Sequence, residues 1–196
     1  MNCHFPTRMA GWGIKEVLKF KLAFIGVCLG IVVVVLGFRI GSPRGGHDHR
    51  SLRTHNSATS IATAVDQYFT EYNKLPGVAG RVTTDKVEGI RLLNILNGDE
   101  SRDAAAENER FIRFLSLREG RDDRRGVIYD STGSGAVVGL YDEWGSPYTV
   151  FLDEDGDGVL EFKLGSKEVR LEGRRAAVVS PGKDGKLGTP DDIKTW

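Results

Sequence analysis

Hydrophobic positions change their spacing along this chain. From Leu22 to Phe38, LAFIGVCLGIVVVVLGF, no side chain is charged, and with Ile40 and the stems of Lys21 and Arg39 the run approaches the ~20 residues of a membrane-spanning helix. The pattern predicts a transmembrane helix over 22–40. Residues 41–50, GSPRGGHDHR, hold Pro43 and Gly45-Gly46, which break helical continuity and predict a hinge. His47, Asp48, His49 and the later His55 could chelate a metal, since imidazoles at alternate positions can converge, although a solvated hinge is the simpler reading. Beyond it Ala58, Ile61, Val65, Tyr68, Tyr72 and Leu75 recur three and four apart, with Ala64 and Phe69 widening the stripe. That period predicts an amphipathic helix, capped by Thr54 or Ser57 and ended at Pro76-Gly77. A second helix is predicted over 85–97, with Asp85 and Glu88 at capping-box spacing, Val87, Ile90, Leu93 and Leu96 inward, and Asn97-Gly98 as the stop.

After residue 125 the period shortens. YTVFL (148–152), VLEFK (159–163), KEVRL (167–171) and AAVVS (176–180) alternate as strands do, and DEDGDG, LGSKE and EGRR separate them at hairpin distances. The expected fold class is α+β: an N-terminal transmembrane helix, then an amphipathic helix packed on a small antiparallel β-sheet. The chain divides into a basic segment (1–21), the span (22–40), the hinge (41–50) and a body (51–196).

Charge sharpens this division. Lys and Arg number 27, as do Asp and Glu, yet residues 1–55 carry a balance of +6 and the remainder −6. An acidic body offers phosphates no net attraction, so nucleic acid is not an expected partner. Lys and Arg are equally divided between the two flanks of the apolar run, so orientation cannot be read from them. No histidine follows His55 and no cysteine follows Cys28, which removes histidine-assisted nucleophiles and thiol chemistry from the body. Gly133-Ser134-Gly135 lacks the strand–turn–helix setting of a nucleophile elbow. An enzyme is not expected.

IATAVDQYFTEYNKLPG, ENERFIRFL, YDEWGSPYTVFLDEDGDG and the closing SPGKDGKLGTPDDIKTW occur in an order that resembles the pseudopilins of type II secretion, members of the type IV pilin-like superfamily. The likeness covers roughly residues 57–196. It implies a pilin-like fold and a non-catalytic subunit of a filament that assists protein export, anchored in the inner membrane by a single pass with its C-terminal domain in the periplasm. The implied partners are the membrane, other pseudopilins or pilin-like subunits, and prepilin peptidase. At the amino terminus Gly11, Trp12 and Glu16 match a processing site, with Glu16 fifth after Gly11, whereas Lys15, Lys19 and Lys21 interrupt the apolar surface that the family shows. The competing expectation is a stand-alone, membrane-anchored binding module with a pilin-like domain that does not polymerise.

The resemblance also implies calcium in the C-terminal loop. Calcium takes six to eight oxygens, and a glycine-rich loop lets carbonyls turn inward among carboxylates. Asp184 and Asp192 match the family's loop carboxylates, Asp191 adjoins them, and Thr195 is a candidate hydroxyl ligand. The same spacing also suits aspartate–glycine and proline–aspartate turns without an ion, held by Ile193 and Trp196 packing beneath. DEDGDG at 153–158 imitates the start of an EF-hand loop, but position twelve is Leu164 where a bidentate glutamate belongs, so a hairpin turn is the expected reading. Trp144 and Trp196 are the expected structural anchors, their rings folded under the sheet.

Overall fold

The computed structural model describes residues 49–99, 102–120 and 125–196, all within one compact unit. Helix α1 (His49–Tyr72) is followed by β1 (Arg81–Thr83), α2 (Val87–Asn97) and the single turn α3 (Arg102–Ala105). Then come β2 (Gly126–Tyr129), β3 (Val137–Tyr141), β4 (Thr149–Leu152), β5 (Val159–Leu164), β6 (Lys167–Glu172), β7 (Ala176–Ser180) and β8 (Ile193–Lys194).

The expected fold class needs correction in two respects. Among the described residues no helix is long and apolar enough to cross a membrane, so the N-terminal transmembrane helix is not supported; residues 22–40 lie outside the described residues. Among the described residues the body also holds three antiparallel sheets instead of one: a four-stranded sheet in the order β1-β4-β7-β8 and the two-stranded pairs β2-β3 and β5-β6. LGSKE is a hairpin turn, with Leu164 opposite Lys167. DEDGDG and EGRR are not, because each carries the chain from one sheet to another.

The alternation inside β4 and β7 explains this architecture. Val150, Leu152, Ala176 and Val178 join the larger apolar cluster, which includes the buried residues of α1 and α2. Phe151, Ala177 and Val179, one position out of phase, join a second cluster with Leu160 and Leu164 of the β5–β6 hairpin. Successive strand side chains point to opposite faces, so the central sheet is buried on both: helices cover one side and the hairpin the other.

Helix α1 buries Thr54, Ala58, Ile61, Ala62, Ala64, Val65 and Tyr68 and packs on β7 and β8. It contains the predicted caps instead of starting at them; the Thr54 hydroxyl, inside the helix, accepts the Glu143 amide at 3.2 Å. Its end comes at Asn73, whose φ of 51° is left-handed. Tyr68 and Tyr72 reach the 107–115 segment, the first donating to the Glu107 carbonyl at 3.0 Å and the second to Asn108 Oδ1 at 2.7 Å. Helix α2 buries Leu93 and Leu96 as expected, and Leu92 and Ile95 besides, while Val87 is exposed, so its inner face is rotated away from Val87. Lys86 stands at its N-cap without a capping side chain, so the Asp85–Glu88 box does not form, and Gly98 ends the helix as predicted.

Candidate metal site in the C-terminal loop

Strand β7 ends at Ser180, a short 3-10 turn covers Gly182–Asp184, and the chain returns as β8, where Ser180 pairs with Ile193. The loop is therefore closed at its base by sheet pairing. Buried Asp142 ties it to the preceding turn. Asp142 Oδ1 accepts the amides of Trp144 and Ser146 at 2.8 and 2.9 Å; Oδ2 accepts the Ser180 hydroxyl at 2.6 Å. Ser180 Oγ in turn accepts the Gly182 amide at 3.1 Å. Gly182 has φ of 67°, and a Cβ there would collide with the carbonyl oxygen of Asp191. Only glycine allows the two limbs of the loop to lie so close.

The loop's three aspartates face different partners. Asp184 Oδ1 accepts the Lys186 amide at 2.8 Å. Asp191 Oδ2 accepts the Asp184 amide at 3.0 Å and its Oδ1 the Thr189 hydroxyl at 2.6 Å. The Thr189 hydroxyl, then the Asp184 amide, holds the Asp191 carboxyl below its ordinary value by stabilising the charged form. Asp192 differs: its side chain is fully buried, with Lys194 Nζ 3.7 Å from Oδ2. Oδ2 also accepts the Gly188 amide at 2.9 Å, but Oδ1 is buried without a hydrogen-bond partner. Leaving a buried charged acceptor unpaired costs roughly 1–3 kcal/mol or more. A cation at that oxygen would remove the penalty, and Asp192 is the one of the three loop aspartates that leaves a buried oxygen unpartnered for it.

The structure does not gather Asp184, Asp191 and Asp192 into one tight trio. Among the described residues the carboxylates that meet within 4.8 Å are Asp153, Asp155 and Asp157, a cluster that could hold a metal ion. In that loop Asp153 is buried, and both its oxygens are occupied, Oδ1 by the Gly156 amide at 3.1 Å and Oδ2 by the Gly158 amide at 3.0 Å. Asp157 Oδ1 accepts the Val159 amide at 2.7 Å. The cluster opens on a groove of about 740 Å³ between β4 and the β5–β6 hairpin, which Arg81 also lines.

Thr195 lies on the sheet side of the loop. Its hydroxyl accepts the Val178 amide at 3.0 Å, and its own amide donates to the Val178 carbonyl at 3.2 Å. Trp196 packs edge-on against Phe162 at 5.3 Å, and Phe162 stacks on Phe151 at 3.8 Å. Trp144 is half-buried and belongs to neither apolar cluster; the buried ring of its turn is Tyr148. Gly11, Trp12 and Glu16 lie outside the described residues. Sequence reasoning passed over Asp142 and Thr189, although an aspartate two residues before an amide it can accept is the signature of a local turn at both Asp142 and Asp184.

No family model matches this chain, nor does any curated protein or solved structure resemble it closely enough to count as a match.

Proposed function

We propose that this chain is a non-catalytic, pseudopilin-like subunit of a type II secretion or type IV pilus-like filament, acting in the periplasm at the inner membrane, with calcium stiffening its C-terminal loop. The observation that carries this reading is the buried Asp192 carboxylate with its unpartnered Oδ1, in a loop folded back beside the sheet on which α1 packs. Asp192 would hold the cation, with Asp184 and Asp191 supplying further hard oxygens. Bound calcium would supply positive charge that offsets the buried carboxylate and cross-links the two limbs of the loop. The Asp153 cluster is the competing position for the same ion.

Filament membership is tested at the amino terminus. Mass spectrometry of the chain from native membranes is expected to find a start at Trp12, methylated, after cleavage following Gly11 by prepilin peptidase. A mature chain that retains Met1 would instead favour the stand-alone module that does not polymerise, a reading to which Lys19, Lys21 and Pro43 lend support.

A further inference from the structure

A second cavity, of about 480 Å³, lies beside the first turns of α1 and has no part in the metal site. Arg53, Arg118 and Arg125 line it together with the polar side chains of Asn56, Ser57 and Tyr148. Two carboxylates share the wall, Glu119 and Glu143, and Glu143 is 3.7 Å from Arg53. Among the described residues no carboxylate forms an ion pair with Arg118 or Arg125. The site is defined without residues 121–124, which lie outside the described residues.

The backbone forces these two arginines into proximity. Glu119 forms a parallel bridge with Val127; the Gly120 amide donates to the Val127 carbonyl at 2.7 Å, and the Val127 amide to the Arg118 carbonyl at 3.1 Å. A Cβ at Gly120 would collide with the Arg125 carbonyl, and one at Gly126 would crowd the Arg118 carbonyl. Two glycines thus let the stretches 118–120 and 125–127 run at backbone contact, and Arg118 and Arg125 both line the cavity. Adjacent like charges repel, and an anion between them turns that repulsion into attraction. Guanidinium forks match the geometry of a tetrahedral oxyanion, and nearby hydroxyl and amide donors extend the match.

We propose that this cavity binds a phosphate group, carried either by a small soluble phosphate or by the headgroup of an anionic lipid. The inference stands independently of the filament reading and of calcium.

The test uses the full-length chain. Calorimetric titration with inorganic phosphate measures the soluble source, and co-sedimentation with phosphatidylcholine vesicles, with and without phosphatidylglycerol, measures the headgroup. Arg118→Gln and Arg125→Gln are each expected to weaken binding about tenfold, the loss of one charge-assisted contact; Arg113→Gln, outside the cavity, is expected to leave it unchanged. Saturable phosphate binding weakened about tenfold in both variants identifies the soluble source. Vesicle binding that needs both phosphatidylglycerol and the two arginines identifies the headgroup. Binding that neither substitution weakens, or no binding to either probe, overturns the proposal.

Discussion

The loops 153–158 and 181–192 are both acidic, both rich in glycine, and both built around one buried aspartate, yet they treat that aspartate differently. Asp153 turns each oxygen to a backbone amide of its own loop, at 3.1 and 3.0 Å. Asp192 has Gly188 and Lys194 at Oδ2 and nothing at Oδ1. The first loop gathers three carboxylates but has met the needs of its buried one from within. The second spreads its carboxylates and leaves a buried oxygen unmet. A count of aspartates does not tell these cases apart; the hydrogen-bond partners of the buried oxygens do.

The largest contrast is expected from alanine at glycine positions in the two loops. Gly182→Ala combines left-handed strain of ~1–2 kcal/mol with overpacking of ~1–3 kcal/mol against Asp191, so a loss of about 4 kcal/mol should appear in urea denaturation. Gly156→Ala meets open space at a φ of 71°, and only the strain, about 1 kcal/mol, remains. Equal costs at the two sites would mean that the limbs of the second loop are not in contact.

Next in size is Asp153→Ala, which strips two amides of their acceptor and should cost about 3 kcal/mol whether or not calcium is present. If the cost grew with calcium, the first loop would be the ion's seat. Calcium at a hundred times its dissociation constant should then add about 2.7 kcal/mol to the wild-type protein, a rise of roughly 5–10 °C in melting temperature that a chelator reverses.

The smallest effect concerns acid. Asp191 has a folded pKa below the ordinary 3.8, so its contribution to stability is complete above that value and is lost as pH falls through the lower folded pKa. Carbon-detected NMR titration should give a midpoint below 3.8 in the wild type, and Thr189→Val should move it upward. An unmoved midpoint would mean that the threonine hydroxyl is not what stabilises the charged form.

Legibility in the sequence followed the range of the forces involved. The stripe from Ala58 to Tyr68 was readable because a helix repeats its burial locally. So were β4 to β7, whose limits the alternation approaches closely. Strands β1, β2, β3 and β8 were missed: β1 and β8 are only three and two residues long, and glycine interrupts the apolar pattern of β3 at Gly139. Pairing was misread because DEDGDG and EGRR have the composition of hairpin turns while linking different sheets; which strand a residue meets is settled by tertiary packing that turn composition does not encode. For the site, Asp184, Asp191 and Asp192 stood out by type, but the burial that distinguishes Asp192 arises only when Ile193 pairs with Ser180 and brings the loop down onto the sheet.

The central claim, that the unmet oxygen of Asp192 marks the seat of calcium, is tested most directly by calorimetric titration of the full-length chain beside its Asp192→Asn and Asp155→Asn variants. The wild type is expected to bind one calcium ion, Asp155→Asn to bind it unchanged, and Asp192→Asn to lose it. Binding retained by Asp192→Asn and lost by Asp155→Asn, or no binding heat in the wild type, would contradict the account.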